Sequence, residues 1–229
     1  MIVISNPSRR RVPLAFNVIA GKTALVKFER MIRSIAPVAD QITVVFDETA
    51  SPPMYDIARR YGADITTSRW VGDFAGQRNI ALDMSRYLYN AWMDTDESLR
   101  PDVARRIASL MTAPRLKAFY LWQASPSVDG SVTYVPQIRI FPRLPGVRWE
   151  IPAHEQIYPS LERAGVRTEL TDLRIEHSGY WNERRVRQKN LRNLKILARW
   201  VQEHPEDRFS MKNYQNAVAF ERSRKGAAL

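Results

Sequence analysis

Hydrophobic and polar positions along this chain follow two periods, and the switches between them mark out its elements. Val12 to Ile19 (VPLAFNVI) and Gln41 to Phe46 (QITVVF) are short apolar runs rich in β-branched residues, the pattern of buried strands. Between them Leu25, Phe28, Met31, Ile32 and Ile35 recur at helical spacing. Thr23 stands where a cap for that helix belongs, and the helix is expected to reach Pro37. Pro52 and Pro53 open a second helix that runs to about Tyr61 and ends at Gly62, because proline suits a first turn and glycine a left-handed exit. Asp64 to Thr67 reads as a third strand and Phe74 to Met84 as a third helix. The aromatic run from Tyr87 reads as a fourth strand that carries on into Asp94-Thr95-Asp96.

This β-α-β-α-β-α-β order predicts an α/β fold with a mostly parallel, Rossmann-like sheet and helices on both faces. Ligands of such sheets bind beyond the carboxyl ends of the strands, where Asp47 and Asp94 both fall. Pro101 to Met111 is then an amphipathic helix. Ala118 to Gln123 and Gln137 to Phe141 are strands of a second half-sheet, with Asp129-Gly130 suited to a hairpin turn between them. Arg143 to Pro159, rich in Pro, Trp and charge, is expected as loop, and Leu170 to His177 as the last strand. Glu183 to Glu203 has helical period with an apolar stripe of Leu191, Leu194, Ala198 and Val201. Pro205 breaks it, and a final helix covers Phe209 to Arg222. The division implied is an α/β domain over 1–181 and a helical extension over 182–229.

The densest chemistry lies in YLYNAWMDTDE, 87–97, where an apolar run ends in Asp94, Asp96 and Glu97. If the strand continues through them, Asp94 and Asp96 point to the same side. Two like charges so placed call for a cation, and Mg²⁺ or Mn²⁺ is the natural one for hard oxygen ligands. The plainer reading is a strand that ends in a polar loop whose acids cap the next helix.

Composition narrows the field. The chain has 229 residues, 45% of them hydrophobic, which is enough for one sizeable core with an appendage. No apolar window is long enough to span a membrane, and the N-terminal order of a short apolar run before basic residues is wrong for a secretory signal. With no cysteine, disulfides, thiolate metal sites and a cysteine nucleophile are excluded, and three histidines make a multi-histidine zinc site a poor fit. A cytoplasmic setting is expected. The net charge of +11 points to anionic partners: nucleic acid, an anionic membrane surface or phosphorylated small molecules. The basic stripe of 184–199 could dock on an anionic leaflet, although it lacks the aromatic face of an inserted helix.

Several stretches, in order, resemble the family 2 glycosyltransferases of the GT-A fold. ADQITVVFDETAS (39–51) is similar to that family's second strand and turn, YDIARRYGADI (55–65) to its next helix and strand, and WMDTDE (92–97) to its "lDaDE" signature. WVGDFAGQRNIAL (70–82), IRIFPRLPGVRWEIPAHEQI (138–157) and RIEHSGYW (174–181) resemble one bacterial branch. RNLKILARWVQEHPEDRF (192–209) resembles the start of the tetratricopeptide-type helices often appended there. Two features depart from the family: no acid follows Asn17, and the turn after Asp47 lacks a second aspartate.

The resemblance implies an inverting sugar transfer from a nucleotide-diphosphate donor to an acceptor hydroxyl, assisted by a divalent metal, Mn²⁺ or Mg²⁺. It implies Asp94, Asp96 and His177 around the metal, with Asp96 the more direct ligand. Asp47 and Asp94 would meet the nucleotide, Lys22 would reach the donor phosphates, Arg78 would pair with a phosphate or a carboxylate (the plainer reading being an ion pair with Asp73 or the acidic triplet), and Glu155 would be the general base, with His154 orienting it or completing the metal shell. Trp149 and Trp181 suit core packing better than sugar stacking. The acceptor, whether glycan, lipid-linked or protein, is not readable. Three other functions share some of these features. A nucleotidyltransferase also uses an Asp-x-Asp metal site, a nucleic-acid-binding module would use the basic charge although no recognised motif is present, and a glycosidase also uses paired carboxylates.

Overall fold

The computed structural model describes residues 11–126, 130–178 and 183–226. One eight-stranded sheet in the order β3-β2-β1-β4-β7-β6-β8-β5 runs through the molecule. Strands β1 (Leu14–Ala20), β2 (Gln41–Phe46), β3 (Asp64–Thr67) and β4 (Tyr89–Met93) are mutually parallel and joined by crossover helices. The expected second half-sheet is continuous with them. β7 (Val132–Pro142) pairs antiparallel with β4, β6 (Ala118–Pro126) antiparallel with β7, and β8 (Thr168–His177) parallel with β6. The two-residue β5 (Glu97–Ser98) closes the far edge against β8.

Every residue of β2 is buried, as expected of a central parallel strand covered on both faces. On one face, Leu14, Phe16, Val18 and Ala20 alternate toward helices α1 (Leu25–Ile35), α2 (Pro52–Arg60) and α4 (Pro101–Leu110). α1 buries Phe28, Met31, Ile32 and Ile35, the period-3.6 set, for a gross gain of about 6–12 kcal/mol. On the other face, α3 (Phe74–Asp83) and α5 (Tyr158–Arg163) pack with Trp92, Phe141, Val147 and Trp149. The same face holds a buried polar chain in which the Asn17 side-chain amide donates to Asn90 Oδ1 at 3.0 Å and the Thr43 hydroxyl to Asn17 Oδ1 at 2.8 Å.

Several boundaries differ from expectation. α1 starts beyond Ala24, which makes no side-chain cap, so Thr23 is not its cap. β6 and β7 extend as a long hairpin well past the expected residues, and Asp129 of its turn lies outside the described residues. The short α5 begins at the end of the stretch expected to be loop, with Pro159 in its first turn, and runs on through 160–163, where no element was expected. α6 (Glu183–Glu203) has the expected span, but its deepest residue is Leu197, and Leu191 of the expected stripe is exposed. α7 (Arg208–Gly226) packs against α6, capped by Asp207, whose carboxylate accepts from the Ser210 backbone N–H and hydroxyl and from Trp200 Nε1.

Candidate active site

A cleft of 1370 Å³ opens beyond the carboxyl ends of β1, β2 and β4, with α6 and the start of α7 along its other wall. At its base the chain leaves β2 at Asp47. This carboxylate accepts from the Thr49 backbone N–H at 2.7 Å and hydroxyl at 2.5 Å, an Asx-type turn. Gly21 lies against it, and a Cβ there would stand 2.3 Å from Asp47 Oδ2, so a side chain at this position would displace the carboxylate from its turn. Lys22 follows, its backbone N–H donating to Thr49 Oγ1, with its side chain at the cleft.

The acidic stretch is not a continued strand. β4 ends at Met93, and 94–97 form a tight turn in which the Glu97 N–H donates to the Asp94 carbonyl at 3.1 Å. The turn sends its three acids to three different partners, so the expected same-side pair of Asp94 and Asp96 does not occur. Glu97 points inward. It is fully buried, forms a bidentate pair with Arg139 (2.7 and 2.6 Å), accepts from Gln123, and receives the Asp94 N–H at 2.9 Å. Arg139 therefore fixes the turn from below, since a buried carboxylate must be paired. Reading Glu97 as one more cleft acid overlooks this role. Arg139 is legible only as a charge in the apolar run IRIF.

Asp94 turns to Arg78. The guanidinium, 5% exposed, donates from Nη2 to Asp94 Oδ1 at 2.9 Å and from Nε to Glu155 Oε1 at 2.6 Å. Its Cζ stands 4.0 Å from the Trp92 ring centroid, and that of Arg139 3.7 Å from the same centroid. Two guanidinium groups so close cannot share one face, so Trp92 is held between them. Burial works against the charge on Arg78, but Glu155 and then Asp94 outweigh it and hold its pKa above the ordinary arginine value. Residues 78, 94 and 155, distant in the chain, thus form one charged unit on the cleft wall.

Asp96 turns to the other side. Its Oδ2 lies 3.3 Å from His177 Nε2, brought there because Glu97 pairs with His177 across β5 and β8. Lys189 of α6 reaches within 4.0 Å of the same oxygen. Burial alone would raise the Asp96 pKa. The His177 hydrogen bond and charge, then Lys189 and Lys27, outweigh it and bring the carboxyl down to about 2. Sequence reasoning missed Lys27, Lys189 and Arg192 as cleft residues. Arg192 packs its guanidinium 4.6 Å from the Phe74 ring and lies close enough to Glu155 and Asp94 to feel both charges. The helical spacing of 188, 189, 192 and 193 on one face of α6 is the signal that could have found the last two.

Among the described residues, no group of three or more His, Cys, Asp or Glu side chains is gathered closely enough to hold an ion. The Asp96–His177 pair still suits a hard dication. Two ligands at about 2.1 Å in neighbouring octahedral positions stand about 3 Å apart, near the observed spacing, and Mg²⁺ sites commonly use one or two protein ligands with substrate phosphates and water. His154 lines the cleft in a left-handed conformation (φ 59°) but does not join that pair. Trp149 is buried edge-on against Trp92 and Phe141. Trp181 lies outside the described residues.

No family model matches the chain. It is 26% identical over 192 residues to a TPR repeat-containing protein of Synechococcus elongatus, an alignment that covers 79% of this chain and spans about half (47%) of that protein. In three dimensions it resembles TarS of S. aureus, with a TM-score of 0.56 and 11% identity, covering 82% of this chain and 40% of that one. A shorter form of TarS, residues 1–349 in complex with UDP-GlcNAc, gives a TM-score of 0.55 over 90% of this chain and 71% of that one. The same form in complex with UDP gives 0.53. These likenesses establish the fold, a mixed α/β architecture with a large central sheet and helices packed on it.

Proposed function

We propose that this chain transfers a sugar from a nucleotide-diphosphate donor to an acceptor hydroxyl, with inversion at the anomeric carbon, as a family 2 enzyme of the GT-A type. The observation that carries the reading is the turn after β4, which delivers Asp94 to the Arg78–Glu155 unit and Asp96 to His177 at the mouth of one cleft. In this reading 1–181 is the catalytic domain, and 182–229 is a helical extension that contributes Lys189 and Arg192 to the cleft.

Each residue then has a task. Asp47 receives the nucleotide above the Gly21 approach. Lys22, Lys27 and Lys189 face the diphosphate, supplying positive charge where the leaving group gains negative charge. Asp96 and His177 would hold the divalent metal, which when bound supplies Lewis-acid neutralisation of the departing diphosphate. Glu155 accepts the proton of the acceptor hydroxyl as its oxygen bonds to the anomeric carbon. The bond from that carbon to phosphate oxygen breaks, and the nucleoside diphosphate leaves with its electron pair. General-base help of this kind is worth about 10²–10⁴-fold. Arg78 positions Glu155 and Asp94 through its paired hydrogen bonds.

TarS has been solved with UDP and with UDP-GlcNAc, so uridine is the first base to test. Thermal-shift screening of nucleoside diphosphates with and without Mn²⁺ should give a metal-dependent rise for one of them, because a ligand of the native state raises the melting point with its affinity. Asp96→Ala should abolish that rise. An undiminished response in the variant would remove Asp96 and His177 from the metal site. Turnover that frees inorganic diphosphate instead of a nucleoside diphosphate would favour a nucleotidyltransferase.

A further inference from the structure

Beside the cleft lies a second cavity of 820 Å³, walled by α3, the 149–159 segment and the ends of α6 and α7. Trp149, Gln156, Tyr158 and Phe209 line both cavities, so the two adjoin, and Gln156 on their common boundary is the chain neighbour of Glu155. Its chemistry differs from the rest of the molecule. In a chain of net charge +11, no lysine or arginine lines it, whereas Asp73, Glu150, Glu206 and Asp207 do. Among the described residues three large aromatic side chains are exposed, Tyr134, Tyr158 and Phe209, and two of the three flank this cavity. Trp200 adds a further ring, stacked on His204 at 3.9 Å and fixed by its Nε1–H to Asp207.

We infer that this cavity binds the acceptor, and that the acceptor presents an uncharged saccharide there. The inference rests on the transfer reaction proposed above and adds the class of its second substrate. Aromatic faces suit the C–H faces of sugar rings. The carboxylates already have uses: Asp73 and Asp207 cap helices, Glu150 pairs with Arg163, and His204 approaches Glu206 at 3.5 Å. An ionised carboxyl offers about four acceptor sites, so each retains capacity for sugar hydroxyls. The Asn79 amide is bound to the Trp149 backbone, and Gln156, on the boundary with the cleft, donates from its side-chain amide to the His154 carbonyl and keeps its side-chain oxygen as an acceptor. A phosphorylated or otherwise polyanionic acceptor would face four carboxylates with no cation among the lining residues, a repulsive arrangement that selects against it. In this proposal a neutral saccharide held here extends across the shared boundary and presents one hydroxyl to Glu155.

The test uses tryptophan fluorescence, since Trp149 and Trp200 both line the cavity. The probes are malto-, cello- and chitotriose, set against a sulfated trisaccharide. At least one neutral trisaccharide should quench saturably, with the sulfated one binding at least tenfold more weakly. Phe209→Ala should weaken the neutral probe about tenfold or more, and Glu206→Arg should narrow or reverse the preference for neutral over sulfated probe. Asp96→Ala should leave saccharide quenching intact while losing the metal-dependent nucleotide response. No quenching by any neutral probe, or tighter binding of the sulfated one, overturns the inference even if the nucleotide response is present. Saccharide binding without any nucleotide response upholds the cavity and sinks the transfer reaction.

Discussion

Replacing Arg78 by methionine removes a cation that two carboxylates share. The side chain is 5% exposed, donates at 2.6 and 2.9 Å, and stacks on Trp92. Breaking a buried pair by removing one partner costs about 3–5 kcal/mol, because the stranded charges lose water as well as partner. Asp94 is 39% exposed and recovers some hydration, and Glu155 at 13% recovers little, so the low end applies, about 3 kcal/mol. For a chain of this length that corresponds to a fall of about 6–12 °C in Tm. Urea unfolding of Arg78→Met and of the triple variant Arg78→Met/Asp94→Asn/Glu155→Gln separates lost packing from stranded charge. Without the two charges, the triple variant should recover most of the loss. A single variant within about 1 kcal/mol of the parent, or a triple variant no more stable than the single, would refute the shared-cation account.

Asp96, whose folded pKa is lowered to about 2, contributes stability that is complete above its unfolded value near 3.9 and lost as pH falls toward 2. The urea-midpoint gap between parent and Asp96→Asn should therefore be constant down to about pH 4 and shrink below it; a gap that widens on acidification contradicts this sign. Lys189 lies 4.0 Å from Asp96, a contact worth about 1 kcal/mol in a water-like dielectric, so Lys189→Gln should tighten Mn²⁺ binding roughly fivefold by electron paramagnetic resonance titration. Unchanged or weaker binding would mean that Lys189 does not compete for that carboxylate. Asp207→Ala should cost about 1–2 kcal/mol by removing the cap of α7, seen as faster amide exchange in its first turn. Exchange unchanged at Ser210 would contradict the capping role.

How far the fold could be read depended on how local its causes were. β2 and β3 match the expected spans to the residue because a β-branched run bounded by polar turn residues needs no distant partner to declare itself. α6 matches for the same reason, through period and a breaking proline. Its contribution to the cleft was hidden, because which face of a basic helix meets other charges is decided by packing. The length of the β6–β7 hairpin was also hidden, since Val132 to Pro136 are exposed and carry no core pattern. In the site, the residues were legible as types, but their alliances were not. Nothing local says that Arg139 would claim Glu97, or that Arg78 would bridge residues 16 and 77 positions away. Reading 94–96 as a continuation of β4 gave the wrong geometry, because the chain turns there and Glu97 enters β5 with its carboxylate in a buried pair with Arg139.

The pairing of β5 with β8 has a mechanical consequence. His177 ends the strand, and α6, which carries Lys189, begins six residues later at Glu183. The same β5–β8 ladder holds Asp96, one residue before Glu97, beside the imidazole, so a slip of one strand along the other changes the Asp96–His177 distance directly.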